Sequence, residues 1–314
     1  MADRNERIRI FEQTVDVCRT DTDLQAAINK SIAKQRITWE EDPLSAGEER
    51  YDHPAALVVT PERTFEAAIK YLKTGKRICI LNFASSVTPG GGVVKGASAQ
   101  EESLCRISTL YPAISDRETA GAFYDRHWQM IRSGEMSRKN RDDCIFTPGI
   151  KVIREDTFDC AMLPRDKWYE VDVITCAAPD LRYDRDGRMY QPEEAELETV
   201  FEKRWRRILS VAALNKADIL ILGAFGCGAF YNPPEVVKQA FGNVFHEFAR
   251  CFEVVEFAVF AQGEDDPNYQ VFSGMKGISA SEIDHGNQEK EERRMKDIWK
   301  KAISRLHLIC QMSF

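Results

Sequence analysis

The chain has 314 residues, and its 43 Lys and Arg against 50 Asp and Glu give a formal net charge of −7. This balance argues against a protein that binds nucleic acid mainly by neutralising phosphates. Apolar residues make up 43% of the chain, which is enough for a full core and argues against global disorder.

No apolar run reaches the roughly 18 to 20 residues that span a bilayer, and the first residues are charged where a signal peptide is apolar. We therefore expect a cytoplasmic protein without membrane contact. The nine cysteines include no CxxC pair, so we expect buried, reduced thiols. The five histidines are scattered, which makes a histidine metal site improbable.

The N-terminal region is predicted to be helical. The apolar spacing between residues 7 and 32 predicts two helices, with Thr22 and Asp23 capping the second. Residues 38–53 are acidic and contain Pro43 and Gly47, which is typical of an exposed connection.

Short apolar runs then alternate with helical patterns. The predicted strands are residues 55–60, 78–83, 144–147, 171–177, 219–223 and 254–261. The predicted helices are residues 61–72, one that begins near Ala99, 193–214 and 234–252. This alternation predicts an α/β fold with a mainly parallel or mixed sheet, covered by helices on both faces.

The tail after residue 278 is rich in charges, but apolar residues recur at helical spacing between Met295 and Leu306. This pattern predicts an amphipathic helix. Such a helix either docks on the body of the protein or serves a dimer or another partner.

A glycine-rich loop follows the strand predicted at residues 78–83. Gly90, Gly91 and Gly92 increase the entropy lost on ordering, so a run of three is favoured where backbone approaches a ligand or adopts positive φ. The alternative is a flexible turn.

The helix after this loop begins with two carboxylates. Ser98 and Glu101 match a capping box, in which Glu101 returns to the amide of Ser98. Glu102 lies about 100° further around the helix, so we expect that the two carboxylates are not both buried on one face. If Glu102 points toward the glycine loop, desolvation would raise its pKa and suit it to proton transfer. The alternative is a surface glutamate that the helix N-terminus stabilises.

A second glycine-rich loop, residues 222–230, follows another buried strand. Gly223, Gly226 and Gly228 allow main-chain amides to face a phosphate or a diphosphate. The loop matches neither the GxGxxG fingerprint nor a P-loop.

Three side chains of the second loop have alternative roles. Phe225 and Phe230 either pack in the core, which is the more common outcome, or flank a ring of the ligand. Cys227 is a weak candidate for a nucleophile, because no histidine lies near it in the sequence.

The run Gly90–Gly92, a seven-residue spacer and Gln100-Glu101-Glu102 together resemble the GGG-x(6–8)-QEE signature of the microbial-type poly(ADP-ribose) glycohydrolases. That family is a catalytic branch of the macrodomain fold. The resemblance implies a three-layer α/β/α macrodomain-like mixed sheet at residues 55–275. It also implies an accessory helical extension at residues 1–54, which leaves residues 276–314 as a tail with the amphipathic helix.

The resemblance also implies roles for individual residues. Glu102 would be the catalytic acid and base, and Glu101 would hydrogen-bond ribose hydroxyls, which conflicts with its capping-box role. The implied substrate-binding residues are Asn82, Gly90, Gly91, Gly92, Val93, Gln100, Gly223, Phe225, Gly226, Cys227, Gly228 and Phe260. Asp180 in the sequence CAAPDLR departs from the Asn that the family is expected to favour.

The implied reaction is hydrolysis of the ribose–ribose O-glycosidic bond of poly(ADP-ribose), from chain ends, with ADP-ribose as product. The implied substrate is poly(ADP-ribose) or ADP-ribosylated protein, with no metal, no cofactor and no nonspecific nucleic-acid binding. The alternatives are a mono-ADP-ribosyl hydrolase, a non-catalytic ADP-ribose reader, and an unrelated nucleotide enzyme on a Rossmann-like sheet.

Overall fold

A computed structural model describes residues 3–45, 47–182, 187, 190–263 and 265–275. Its centre is one sheet of seven strands. The strands are β1 (Arg36–Thr38), β2 (Ala56–Thr60), β3 (Ile78–Phe83), β4 (Cys144–Val152), β5 (Tyr169–Cys176), β6 (Ile219–Leu222) and β7 (Val254–Ala258). Their order across the sheet is β1-β4-β5-β3-β6-β7-β2.

The sheet is mixed, as predicted. Strands β2, β3, β5, β6 and β7 run parallel to one another, while β4 pairs antiparallel with β5 and β1 pairs antiparallel with β4. The carboxyl ends of five strands therefore meet at one edge of the sheet, where open α/β sheets bind ligands.

Helices cover both faces of the sheet. Among the described residues, the α-helices are α1 (Arg4–Thr20), α2 (Thr22–Lys34), α3 (Thr64–Ile69), α4 (Gln100–Ile107), α5 (Leu110–Ile114), α6 (Arg117–Ala120), α7 (Arg126–Ser133), α8 (Glu194–Leu214), α9 (Pro234–Phe245) and α10 (Pro267–Ser273). Strand β3 shows how the core is divided, because its successive side chains alternate between faces. Leu81 packs in the cluster with Trp205 of α8, and Ile80 packs in the cluster with Phe11 of α1 and Leu104 of α4. The three-layer α/β/α architecture is confirmed.

The N-terminal region departs from the prediction at two points. The N-cap of α2 is Asp21, whose side chain accepts from Asp23 N and Leu24 N. The predicted capping residues Thr22 and Asp23 therefore lie in the first turn of the helix. Residues 36–38 form β1, an edge strand paired with β4, where the sequence predicts only the approach to an exposed connection. A three-residue strand is too short to show an alternating pattern, so its partner strand decides its structure. Strand β4 also extends to Val152, beyond its predicted end, with a register shift between Thr147 and Ile150.

Helix α1 packs against the first glycine-rich loop. Arg4 Nε donates to Lys95 O at 2.8 Å, and Arg7 Nε donates to Gly96 O at 2.7 Å. The predicted N-terminal helices thus support the loop that precedes α4.

The remaining predictions concern the membrane, the thiols and the tail. No helix in the described part of the chain has the length and apolar character needed to cross a membrane. Seven of the eight described cysteines are buried. Cys310 and the helix predicted between Met295 and Leu306 lie outside the described residues.

Candidate active site

A cavity of about 530 Å³ opens at the carboxyl edge of the sheet. It is lined by residues that follow all five parallel strands: Glu62 after β2, Ser85 after β3, Ala178 after β5, Gly226 after β6 and Val259 after β7. Its volume is in the usual range for small-ligand sites.

Gln100 joins the start of α4 to the end of β3. Its Oε1 accepts a hydrogen bond from Phe83 N at 2.9 Å, and its Nε2 donates to Leu81 O at 2.7 Å and to Thr64 Oγ1 at 3.1 Å. These bonds engage both ends of the amide. The side chain therefore positions the two glutamates that follow it.

Glu101 lies against the end of β3 and is only 3% exposed. Its Oε2 accepts a hydrogen bond from Ser85 N at 2.7 Å, and its Oε1 accepts one from Asn82 Nδ2 at 3.3 Å. Burial raises the pKa of Glu101 to about 8, although the Ser85 hydrogen bond opposes the shift.

The predicted capping box is wrong. The N-cap of α4 is Ala99, and no side chain makes a cap hydrogen bond there. The Glu101 carboxylate turns to the loop after β3, because the amide of Ser85 and the side chain of Asn82 offer it partners inside the protein.

Glu102 faces the glycine loop and is 8% exposed. Its Oε1 accepts a hydrogen bond from Gly92 N at 2.7 Å, while its Oε2 is buried and has no hydrogen-bond partner among the described residues. The sequence excluded only the burial of both carboxylates on one face of the helix, and in the structure both are buried. The first turn of α4 lies between β3 and the glycine loop, so two directions about 100° apart both lead into the protein.

Gly91 allows the two carboxylates to approach the loop. Its φ is +55°, and a Cβ added there would lie 2.6 Å from Glu102 Oε1 and 3.0 Å from Glu101 Oε2. Both the positive φ and the close approach therefore require glycine at this position.

A buried histidine supports the loop after β3. His127 Nδ1 lies 3.1 Å from Ser86 O, and its Nε2 lies 2.7 Å from Asp143 Oδ2, which also accepts from Arg141 Nε at 3.0 Å. Both ring nitrogens therefore have a polar partner, which holds the ring in place. The contact holds the backbone next to the Ser85 amide that binds Glu101.

The second glycine-rich loop packs tightly against the loop after β5. Gly226 has φ +78°, and a Cβ there would lie 2.6 Å from Ala178 Cβ and 2.7 Å from Asn232 Nδ2. The Asn232 amide donates to Pro179 O at 2.8 Å and to Gly226 O at 3.0 Å. These contacts fix a backbone segment that lines the middle of the cavity.

The structure separates the predicted site residues into two groups. Nine line the cavity: Gly91, Gly92, Gln100, Glu101, Glu102, Phe225, Gly226, Gly228 and Phe260. The other five are not among the residues that line it: Asn82, Gly90, Val93, Gly223 and Cys227. Asn82 and Val93 are completely buried, so they support the glutamates and the glycine loop from within.

Of the alternative roles given for the side chains of the second loop, the structure mostly shows packing in the core. Phe225 is completely buried, with its ring centroid 5.5 Å from that of Phe83 and 5.6 Å from that of Trp205. Phe230 is partly buried against the same core and also lines the cavity. Burial raises the pKa of the Cys227 thiol, which disfavours the thiolate that a nucleophile needs.

The end of the cavity near β2 and β7 contains residues that sequence reasoning missed. Arg63 lies between Phe158 and Phe260, with its guanidinium carbon 4.5 Å and 4.1 Å from their ring centroids. Asp156 accepts from Phe65 N at 3.0 Å, and burial raises its pKa to about 6. Arg63 could have been found from its position shortly after a predicted strand, but no sequence signal indicates Asp156.

No group of three or more His, Cys, Asp or Glu residues in the described ranges could hold a metal ion.

The raised pKa of Glu101 predicts a pH-dependent stability. An unfolded glutamate ionises near 4.5, while folded Glu101 keeps its proton to about pH 8. Between these values the folded state holds one more proton, so rising pH lowers the free energy of unfolding by at most about 1.4 kcal/mol per pH unit. Glu101→Gln should lack this contribution. Its stability relative to the wild type should therefore increase from pH 6 to 8 and then level off.

Urea unfolding of both proteins between pH 6 and 9 measures this difference. Asp156 is present in both proteins, so its own titration cancels. A difference in unfolding free energy that stays constant with pH would contradict the assignment of the raised pKa to Glu101.

Comparisons with known proteins agree with this geometry. The model of the microbial-type PARG catalytic domain matches residues 5–155. Poly(ADP-ribose) glycohydrolase (PARG) from Thermomonospora curvata is 28% identical over 86% of this chain and 99% of that chain, with a TM-score of 0.73. Its complex with the inhibitor ADP-HPD matches with 28% identity, the same coverage and a TM-score of 0.72.

A second similar enzyme is PARG from Deinococcus radiodurans, in complex with ADP-ribose. It is 30% identical over 79% of this chain and 96% of that chain, with a TM-score of 0.67. A search of curated proteins finds no match. The fold, the paired glutamates and these similarities lead to one conclusion: the chain belongs to the microbial-type poly(ADP-ribose) glycohydrolase family.

Proposed function

We propose that this protein is a poly(ADP-ribose) glycohydrolase. It hydrolyses the ribose–ribose O-glycosidic bond, acts from chain ends and releases ADP-ribose. Family membership supports the reaction, and the D. radiodurans relative in complex with ADP-ribose supports the ligand. The cavity supports a nucleotide ligand, because backbone of two glycine-rich loops lines it.

The observation that carries the proposal is the environment of Glu102. Gly92 N holds one of its oxygens, while the other is buried without a partner among the described residues. A carboxyl group fixed in this way has one oxygen available for proton transfer to a bound substrate.

The two glutamates are adjacent on one helix turn, so they do not flank a sugar as the two carboxylates of ordinary glycosidases do. In the proposed mechanism Glu102 protonates the departing ribose oxygen as the glycosidic bond breaks and its electron pair moves to that oxygen. Water then attacks the oxocarbenium-like carbon and returns a proton to Glu102.

Glu101 assists from the adjacent position. Both carboxylates approach the same point above Gly91, and the charge of Glu102 is one of the factors that raise the pKa of Glu101. Glu101 therefore retains its proton near neutral pH, so a protonated carboxyl group lies beside Glu102. The substrate diphosphate, bound by loop amides, would stabilise the developing positive charge.

Incubation with labelled poly(ADP-ribose), followed by chromatography of the products, tests the function. We expect free ADP-ribose to accumulate from the start, without a prior increase in oligomers of intermediate length. Release only from mono-ADP-ribosylated protein would indicate a mono-ADP-ribosyl hydrolase instead. Binding without any release would indicate a reader.

The proposal includes the organisation and location of the protein. Residues 55–275 form the catalytic core, residues 1–54 support it through the contacts of Arg4 and Arg7 with the glycine loop, and residues 276–314 form a tail. A cytoplasmic location is supported by the free thiols of the buried Cys18, Cys79 and Cys105.

A further inference from the structure

The loop after β5, residues 177–182, lines the cavity but has no role in the mechanism above. It contains Asp180, the residue that departs from the expected family pattern. Asp180 Oδ1 accepts from Arg182 Nε at 2.8 Å, and its Oδ2 accepts from Arg182 Nη2 at 2.6 Å. This bidentate pair fixes the plane and direction of the guanidinium group.

Arg182 is positioned but remains available to a ligand. Its guanidinium carbon lies 4.7 Å from the centroid of the Phe230 ring, and the residue lines the cavity. Its side chain is 50% exposed, and its Nη1 makes no hydrogen bond with any described residue. A guanidinium group held on two sides loses little entropy when it binds a phosphate.

The cluster around Arg182 carries a net positive charge. Arg138 Nη2 lies 3.6 Å from Asp180 Oδ1 and donates to Arg182 O, so two arginines share one aspartate. The hydrogen bond to Asp180 raises the pKa of Arg182 most, and the charge of Glu102 adds to this shift. Arg182 is therefore charged and lies within electrostatic reach of the proposed acid.

The strand order indicates which part of the substrate meets this cluster. The glutamates follow β3, and on one side of them the loops after β6, β7 and β2 line a larger part of the cavity than the loop after β5 lines on the other side. That larger part accommodates the terminal ADP-ribose unit. On the other side of β3 lies β5 with its loop, so the leaving group departs past Arg182.

The leaving group in poly(ADP-ribose) is the remaining polymer. It begins with an adenosine ribose that carries a diphosphate, so phosphates lie just beyond the scissile bond. We propose that Arg182, held by Asp180 against Phe230, binds a phosphate of the ADP-ribose unit that precedes the scissile bond. This leaving-group subsite rests on the proposed function, and it gives the 177–182 loop and its aspartate a role in selecting polymer.

Two substrates with the same ADP-ribose donor test the subsite. One is poly(ADP-ribose), and the other is a nitrophenyl glycoside of ADP-ribose with the same anomeric configuration, whose leaving group has no phosphate. For Arg182→Ala, the ratio of kcat/KM for the polymer to kcat/KM for the glycoside should fall roughly tenfold. Higher salt should reduce the difference from wild type on the polymer, because the lost contact is electrostatic.

Arg138→Ala is the matched control. It removes the same charge from the same cluster at a residue that does not line the cavity, so its ratio should fall much less. Arg182→Lys, which keeps the charge but loses the bidentate geometry, should give an intermediate ratio. ADP-ribose affinity, measured by calorimetry, checks that each variant keeps a folded donor site.

Two outcomes would overturn the subsite. One is an unaltered ratio for Arg182→Ala, which means equal losses on both substrates or no loss on either, and the other is equal ratios for Arg182→Ala and Arg138→Ala. The proposed function fails separately, if wild-type protein does not cleave poly(ADP-ribose) at all.

Discussion

Glu102→Gln should abolish turnover of poly(ADP-ribose) with little loss of ADP-ribose affinity. General acid and base catalysis by one group contributes roughly 10²- to 10⁴-fold, and here one group performs both steps. The amide keeps the shape of the side chain, and its oxygen can still accept from Gly92 N, which binds Glu102 Oε1 at 2.7 Å. It cannot supply the proton that the departing ribose oxygen needs.

Single-turnover cleavage of labelled polymer measures the loss, and calorimetric titration with ADP-ribose measures binding. Glu102→Ala should behave similarly, with some additional change in loop stability because Gly92 N loses its acceptor. Glu101→Gln makes the same isosteric change at the neighbouring carboxylate, so comparison of the two variants separates their roles. Normal turnover by purified Glu102→Ala would exclude Glu102 as the acid.

Gly91→Ala should reduce kcat for poly(ADP-ribose) by roughly two orders of magnitude, because a displacement of about 1 Å in a catalytic group is enough for such a loss. The new methyl group would lie 2.6 Å from Glu102 Oε1 and 3.0 Å from Glu101 Oε2, so the loop or both carboxylates must move. The φ of +55° adds roughly 1 to 2 kcal/mol of backbone strain.

Gly134→Ala is the control, because it introduces backbone strain without a steric clash of the new methyl group. Gly134 has φ +80° at the end of α7, but a Cβ there meets no atom within 4 Å. It should lower the melting temperature by a similar or smaller amount and leave kcat close to wild type. Equal kcat values for the two alanine variants would show that the approach of the carboxylates to Gly91 does not matter for catalysis.

Much of the fold follows from local pattern. Strands such as β3 and β6 are mainly apolar runs between turn residues, and α8 shows helical spacing of apolar residues over its length. Each of these elements can therefore be predicted from a short stretch of sequence. β1 could not be predicted, because its three residues form a strand only through hydrogen bonds to β4, more than 100 positions away. The order of strands also depends on such distant pairings.

The candidate site, like the fold, could be predicted from the sequence only in part. Glycines at 90–92, the QEE run and the second glycine-rich loop indicated the family and the position of the glutamates from sequence alone. The structure decided what surrounds each group. Glu101 resembles a capping residue in the sequence. In the structure its carboxylate accepts hydrogen bonds from Asn82 and from the Ser85 amide in the interior, where burial raises its pKa.

The residues at the two ends of the cavity could be identified only from the tertiary structure. Asp156 and Arg182 come from loops far from the glutamates in the chain. Asp156 belongs to no motif, and the sequence CAAPDLR, which ends at Arg182, indicates no role for this arginine. Sequence alone therefore determined six of the seven strands, the family and the proposed acid, because these depend on neighbours along the chain. Only the tertiary structure decided burial, pKa and the extent of the site, because these depend on contacts between distant segments.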